Sequence, residues 1–168
     1  VNDQIEPLTA RHDRTAFDSG EPALDAWLRD HAGQASRRDG ARTYVAAEGA
    51  RVVGYYSLCA FSVECADAPA TIRAGRQPIP AILLARLAVD RAHQGRGLGS
   101  LLLLDALFVA AAVSERIGAR VLALHALHEK AAGFYAAHGF RPFDSDPLTL
   151  YLPMRDVRRT LDSPKEGC

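Results

Sequence analysis

Cysteine, lysine, methionine and tryptophan are all scarce in this 168-residue sequence, at three, two, one and one residues. The cysteines, Cys59, Cys65 and Cys168, are too few and too irregularly spaced for a disulfide framework or a zinc site, so no metal is expected. No leader segment precedes the first strand pattern, and a cytoplasmic protein is the expectation. A long unbroken apolar run is missing as well. Leu98 to Val113 is interrupted by Ser100 and Asp105 and falls short of the roughly 20 residues that span a bilayer, so it reads as a buried helix and no membrane association is expected. Net charge is also lacking: 20 basic residues balance 20 acidic ones beside 48% hydrophobic residues, which excludes an extended disordered chain. The same balance argues against indiscriminate nucleic-acid binding.

With so little lysine, eighteen arginines carry the positive charge. Arginine suits planar, bidentate phosphate contacts, although a GC-rich coding sequence produces the same bias. The charges are sorted along the chain. Residues 1–30 hold seven acids against three arginines, residues 31–100 hold nine arginines against five acids, and the remainder balances at eight each. The basic middle contains Arg37, Arg38 and Arg42, then Arg73, Arg76, Arg86, Arg91 and Arg96, the last five opposed only by Asp90. A solvated basic surface and a phosphate-rich ligand both fit this pattern.

Gln4 to Leu8 reads as a short strand. A helix is expected near Ser19, with that hydroxyl as its N-cap, Glu21 and Pro22 in the first turn, and Leu24, Trp27 and Leu28 on one face. Thr43–Ala47 and Val52–Ala60 are β-branched and aromatic and read as a hairpin closed by Glu48 to Arg51. Residues 66–80 read as a loop or broken edge strand. Ile82–Val89 is a nearly continuous apolar run, as in a central strand covered on both faces. After it, Gln94 to Ser100 feeds a long helix to about Ile117, stopped by Gly118. Val121–Leu124 is a further strand, Glu129–His138 a helix closed by Gly139, and Phe140–Phe143 with Leu148–Leu152 a final strand pair. The expected architecture is one α/β domain over residues 1–157, with a polar, frayed tail over 158–168.

Gly95, Gly97 and Gly99 lie between a buried strand and a helix start. Such glycines let backbone N–H groups converge where the helix N-terminus adds partial positive charge, so the expected ligand is an anion such as pyrophosphate. A Walker loop is excluded because Gly99 meets Ser100 without a lysine. The dinucleotide fingerprint fails as well, lacking its later glycine and its acid on the next strand.

Gln94-Gly95-Arg96-Gly97-Leu98-Gly99 resembles the Arg/Gln-x-x-Gly-x-Gly/Ala signature of the GNAT acetyltransferases, and Ala131-x-x-Phe134-Tyr135-x-x-x-Gly139-Phe140 resembles the helix and strand that follow it in that family. The resemblance implies a mixed central sheet splayed between its fourth and fifth strands, here Ile82–Val89 and Val121–Ala126, with flanking helices and acetyl-CoA in the gap. Over most of the chain there is a narrower resemblance. Phe17 to Gly20, Leu24-Asp25-x-Trp27-Leu28, Ala41 to Thr43, Gly54 to Leu58 and Ile82 to Asp90 look like the TacT and AtaT type of GNAT toxins. That resemblance implies acetylation of the α-amine of aminoacyl-tRNA, a block of translation, a ribbon-helix-helix antitoxin as partner and a homodimer. Its alternatives are a GNAT acting on a small amine or a protein N-terminus, and a non-catalytic cofactor- or partner-binding module.

Residue by residue, the resemblance makes Tyr135 the acid for the departing thiolate, with core packing as the plainer role, and makes Phe134 beside it a cofactor-binding residue set in the core. Backbone groups of Leu87, Ala88 and Val89 are expected to pair with the pantetheine amides. Gln94, Gly95, Arg96, Gly97, Leu98, Gly99 and Ser100 are expected to hold the pyrophosphate, helped by Arg96 or Arg91. His128 stands where many members have an Asn that bonds the cofactor arm, so the resemblance makes it a cofactor-binding residue, with a helix cap as its alternative role. No acid occurs between Ile82 and Val89. A lysine amine of pKa about 10.4 needs a base, whereas an α-amine of pKa about 7.7–8.0 is already partly neutral, which favours an α-amine substrate. Arg86 needs a partner in its apolar strand: either a buried ion pair, or phosphates of tRNA held together with Arg37, Arg38, Arg42, Arg73 and Arg76.

Overall fold

The computed structural model describes residues 4–73 and 75–162. In chain order its elements are β1 (Ile5–Pro7), α1 (Pro22–Asp30), α2 (Ala32–Arg37), β2 (Arg42–Glu48), β3 (Arg51–Val63), β4 (Ile79–Val89), a 3-10 turn (Arg91–His93), α3 (Leu98–Ile117), β5 (Val121–His125), α4 (Glu129–Ala137), β6 (Arg141–Pro142), β7 (Thr149–Pro153) and α5 (Met154–Asp162). Seven strands make a mixed sheet in the order β1-β2-β3-β4-β5-β7-β6, with β4 parallel to β5. The chain clusters into two compact units, residues 1–59 with 85–106 and residues 60–84 with 107–168.

The first unit is built on the β2–β3 hairpin, whose two-residue turn, Gly49-Ala50, follows Glu48 and precedes Arg51, its register partner. Gly49 takes a φ of +60°, which an L side chain adopts only with strain. Tyr44 and Tyr56 sit opposite each other and stack at 5.0 Å, the kind of cross-strand aromatic pair that stabilises a sheet. Leu28 of α1 packs with Phe17, Val45, Val52, Tyr55 and Ala88 in a buried cluster edged by Leu24 and Trp27, the face expected from sequence. The Tyr55 hydroxyl donates to the Leu24 carbonyl at 2.8 Å, so a deeply buried phenol still has its partner.

Ser19 is not the N-cap. Glu21 occupies that position without a side-chain cap bond. The Ser19 hydroxyl instead donates to Asp25 at 2.6 Å and accepts from the Glu21 N–H at 3.2 Å. Pro22 at the first helical position fixes where α1 starts, placing Ser19 too far upstream to cap it. The short helix α2 was not expected from the sequence; Ala32, fully buried, anchors it in the Leu28 cluster.

In the second unit β5 pairs antiparallel with β7 from Val121↔Pro153 to His125↔Thr149, and β6 pairs with β7. Val63, Ala68, Ile72, Ile79, Ala81, Val121, Phe143 and Tyr151 form its buried cluster. The expected frayed tail from Arg158 is corrected: α5 continues to Asp162, because Met154 and Val157 are buried and the Arg158 guanidinium donates to Ser114 at 3.0 Å. Residues 163–168 lie outside the described residues, and Cys168 with them.

Helix α3 has 20 residues and on length and composition alone is apolar enough to cross a membrane. That exceeds the apolar run expected from sequence. Leu102, Leu103, Ala106, Leu107 and Ala110 are each no more than 3% exposed, and their spacing marks one stripe of a core-facing helix. Gly54 on β3 lets that stripe approach: a Cβ there would lie 2.8 Å from Leu102 Cδ1 and 3.3 Å from Leu98 Cδ2.

Candidate active site

In the first unit β4 ends at Val89 and the chain turns on Asp90, which is 3% exposed. Its carboxylate accepts from the N–H of Ala92 at 3.0 Å, the N–H of Asp18 at 3.3 Å and Arg51 at 3.3 Å, with His93 Nδ1 at 3.5 Å. Burial alone would raise the Asp90 pKa. The backbone donors of Ala92 and Asp18, then His93 and Arg51, outweigh burial and hold the carboxyl below its ordinary value.

The turn beyond Asp90 is tied at several points to the segment before α1. The Arg91 N–H donates to the Asp18 carbonyl at 2.8 Å, and its guanidinium lies 3.4 Å from the Asp18 carboxylate. The Gln94 side-chain amide donates to the carbonyls of Ser19 at 2.8 Å and Val89 at 2.9 Å. Gln94 is therefore a brace for the loop, and Arg91 is already engaged. Arg96 is exposed and, among the described residues, makes no hydrogen bond or ion pair.

Gly95 and Gly97 take φ values of +73° and +84°, and a Cβ on either would meet nothing within 4 Å. Glycine is needed there for its conformation, and the space beside the backbone is open. The Leu101 N–H bonds to the Gly97 carbonyl at 3.1 Å, so Leu98, Gly99 and Ser100 supply the first-turn N–H groups at the positive end of α3. Open space beside such donors suits a pyrophosphate.

Pairing of β4 with β5 runs from Ala81↔Val121 to Leu84↔Leu124, four residues of an eleven-residue strand. Leu87, Ala88 and Val89 lie beyond the last of these pairs.

Arg86 is half-buried on the same strand, and its guanidinium lies over the Trp27 ring at 4.1 Å. Among the described residues it has no carboxylate partner, so the buried ion pair weighed from sequence is not what stabilises it. The aromatic face takes that role, a contribution of about 0.5–2 kcal/mol. Arg37 and Arg38 are exposed around the end of α2. Arg42 bonds to the Ser36 carbonyl at 2.9 Å and to Asp39 at 2.6 Å. Sequence reasoning treated Trp27 as packing; an aromatic on α1 and an arginine on β4 carry no local signal of their meeting.

In the second unit His128 is the N-cap of α4, its Nδ1 accepting from the Ala131 N–H at 3.1 Å. That is the capping role considered for it. Tyr135 is 9% exposed, packed by Phe134 at 5.1 Å and Phe140 at 5.8 Å between ring centroids. Among the described residues its hydroxyl has no hydrogen-bond partner. Burial pushes its pKa up to about 12, so it holds its proton throughout the neutral range. Phe134 also packs against His138 with the rings tilted at 52°, and the His138 ring bonds to the Phe134 carbonyl. Arg73 and Arg76 belong to this unit too, in the loop before β4, so the six arginines proposed for one surface divide between the units. Among the described residues no group of three His, Cys, Asp or Glu side chains is placed to hold a metal.

Residues 39–142 match the model of the acetyltransferase (GNAT) domain. A tRNA-acetylating toxin of Mycobacterium tuberculosis is 47% identical over 147 residues, 87% of this chain and 89% of that one. Two solved structures are similar over nearly the whole chain. One is AtaT complexed with acetyl-methionyl-tRNAfMet, at 33% identity and a TM-score of 0.84, covering 94% of this chain and 98% of that one. The other is a mutant AtaT toxin bound to the C-terminus of the antitoxin AtaR and acetyl-CoA, at 32% identity and 0.83, covering 95% and 98%.

Proposed function

This chain belongs to the GNAT acetyltransferases, and from that premise we propose that it transfers acetyl from acetyl-CoA to the α-amine of aminoacyl-tRNA, blocking translation as a toxin. The observation that carries this reading is its 47% identity, over 87% of its length, to a toxin named for acetylating tRNA. The open, positive-φ glycines at the head of α3 support it from the geometry.

Acetyl-CoA supplies an acetyl group on a thioester. Backbone N–H groups of Gly95 to Ser100 hold its pyrophosphate, and Arg96, which no other described residue engages, adds charge. The Leu87–Val89 edge receives the pantetheine arm as an added strand would be received and donates to the carbonyl oxygen as it turns anionic. Tyr135 keeps its proton until the carbon–sulfur bond breaks and gives it to the leaving sulfur. With a pKa near 12, the transfer is concerted with bond cleavage, because a free thiolate is too weak a base to take that proton outright. The amine needs no side-chain base, since an α-amine is partly neutral at pH 7: its lone pair forms the new bond to the carbonyl carbon, and the proton its nitrogen sheds as the amide forms passes to water, from which Tyr135 regains the one it gave. Arg86, Arg37, Arg38, Arg42, Arg73 and Arg76 contact tRNA phosphates. The protein acts in the cytoplasm, as a homodimer held in check by a ribbon-helix-helix antitoxin.

One observation favours the alternative of a small cationic amine. A cavity of about 290 Å³ in the second unit is lined by Glu64, Asp67, Asp146 and His125. Labelled acetyl-CoA offered with charged tRNA, or with polyamines, separates the two. Label in acid-precipitable RNA, absent when the tRNA is deacylated beforehand, is the expected outcome; label in polyamine alone would reverse the assignment.

A further inference from the structure

A second cavity, of about 380 Å³, opens at the amino end of β5. Among the described residues it is lined by Thr71, Ile72, Ala119, Pro153 and Met154 and by four arginines, Arg73, Arg120, Arg155 and Arg158, with no acid among these. Three of these guanidiniums are held by neutral acceptors: Arg73 by the Ala68 carbonyl at 2.8 Å, Arg120 by the Ile72 carbonyl at 3.3 Å and Arg158 by the Ser114 hydroxyl at 3.0 Å. Among the described residues none of the three has a carboxylate partner. The fourth, Arg155, lies 3.8 Å from Asp156, a carboxylate also approached by Arg141 and Arg159.

Converging like charges repel one another, and the repulsion is relieved by an anion in their midst. The backbone of Arg120 is fixed on both sides, its N–H donating to the Pro80 carbonyl at 2.8 Å and its own carbonyl accepting from the Met154 N–H at 2.8 Å. The cavity is thus a held arrangement of planar, multi-donor groups of the kind that grips phosphate. Within the second unit it lies at the opposite end of β5 from His125, which is followed by the α4 segment that carries Tyr135. At about 3.3 Å per residue the strand separates the two ends by roughly 15 Å.

We propose that this cavity binds a backbone phosphodiester of the RNA substrate, away from its aminoacylated end. The proposal rests on the reading of that substrate as aminoacyl-tRNA. It adds Arg120, Arg155 and Arg158 to Arg73 and gives them a place the charge pattern did not reveal.

The test compares full-length aminoacyl-tRNA with an aminoacylated oligonucleotide of a few 3′-terminal residues, in the wild type and in the double variant Arg120→Ala, Arg158→Ala. The expected result is a rise of about tenfold in KM for tRNA, with kcat and KM for the short substrate within twofold of wild type. The dependence of log K on log salt becomes shallower by about 0.7–0.9 for each phosphate that is no longer neutralised. Arg120 also braces the Ile72 turn and Arg158 joins α5 to Ser114 of α3, so Arg155→Glu is measured alongside: its side chain is 65% exposed and its partner is Asp156. It should weaken tRNA binding in the same selective way. Unchanged tRNA KM and salt slope in both variants overturn the proposal, as does an equal effect on both substrates. Inorganic phosphate serves as the probe for a free-anion site. Stabilisation of the wild type and not the variants, with tRNA affinity untouched, assigns the cavity to free phosphate and also overturns the proposal. A wild-type protein that acetylates neither substrate defeats the functional reading instead, and filter binding of tRNA then judges the cavity by itself.

Discussion

Replacing Gly97 by Ala separates the conformational role of the glycine loop from its role toward a ligand. At φ +84°, with nothing within 4 Å of the added Cβ, the variant suffers backbone strain and no crowding. That strain is about 1–2 kcal/mol, and each kcal/mol lowers Tm by roughly 2–4 °C in a chain of this size. Gly49 provides the control, since it has φ +60°, is equally open, and lies in the β2–β3 turn. Gly49→Ala and Gly97→Ala should therefore lose similar thermal stability. They should differ toward acetyl-CoA, because a methyl at Gly97 stands where the pyrophosphate must approach the backbone. Removing one charge-assisted N–H hydrogen bond, about 1.5–3 kcal/mol, weakens binding by at least about tenfold. Thermal melts and titration calorimetry with acetyl-CoA read the two effects separately. If Gly97→Ala binds acetyl-CoA within twofold of Gly49→Ala, the glycine serves the turn alone and the loop is not the pyrophosphate cradle.

Tyr135→Phe should leave acetyl-CoA affinity within about twofold and lower kcat by about 10²-fold or more. With the Tyr135 pKa near 12, the wild-type pH profile should rise through the amine pKa and show no tyrosine limb below pH 11; a falling limb near pH 9 would contradict the burial argument. Asp90→Asn should cost about 1–3 kcal/mol at pH 7. Because the folded Asp90 carboxyl is held below its unfolded value of about 3.9, its contribution is complete above that pH and is lost as pH falls through the folded pKa. The variant should therefore approach wild-type stability in acid melts, and a constant difference down to pH 2 would refute the assignment. Gly54→Ala, which brings a Cβ to 2.8 Å from Leu102 Cδ1, should cost about 1–3 kcal/mol by overpacking. An unchanged melting temperature would show that α3 shifts freely on the sheet.

What the sequence made legible was mostly local. The glycine spacing after an apolar strand, the hairpin turn at Gly49 and the α1 face of Leu24, Trp27 and Leu28 depend on neighbours within a few residues, and each appears in the structure. Ser19 misled because it is a good capping residue, yet Pro22 set the helix start and Asp25 took its hydroxyl. Helix α5 was missed because a segment whose apolar residues are Met154, Val157 and Leu161 reads as polar until β7 delivers it to a surface that buries the first two. The sorting of arginines along the chain was visible, but not its outcome. Arg86 on Trp27 and the Arg120 cavity join residues that only the fold brings together.

The braces on the glycine loop bear on how this chain can be cut. The segment matching the family model starts at residue 39, whereas the partners of Arg91 and Gln94 are Asp18 and Ser19. A fragment trimmed to the family borders would retain every signature residue and lose the struts that hold the loop between Val89 and α3. During synthesis those struts emerge first and wait about seventy residues for the loop they support. The portable motif is therefore shorter than the working part: to transplant the glycine loop, the Asp18–Ser19 turn must travel with it.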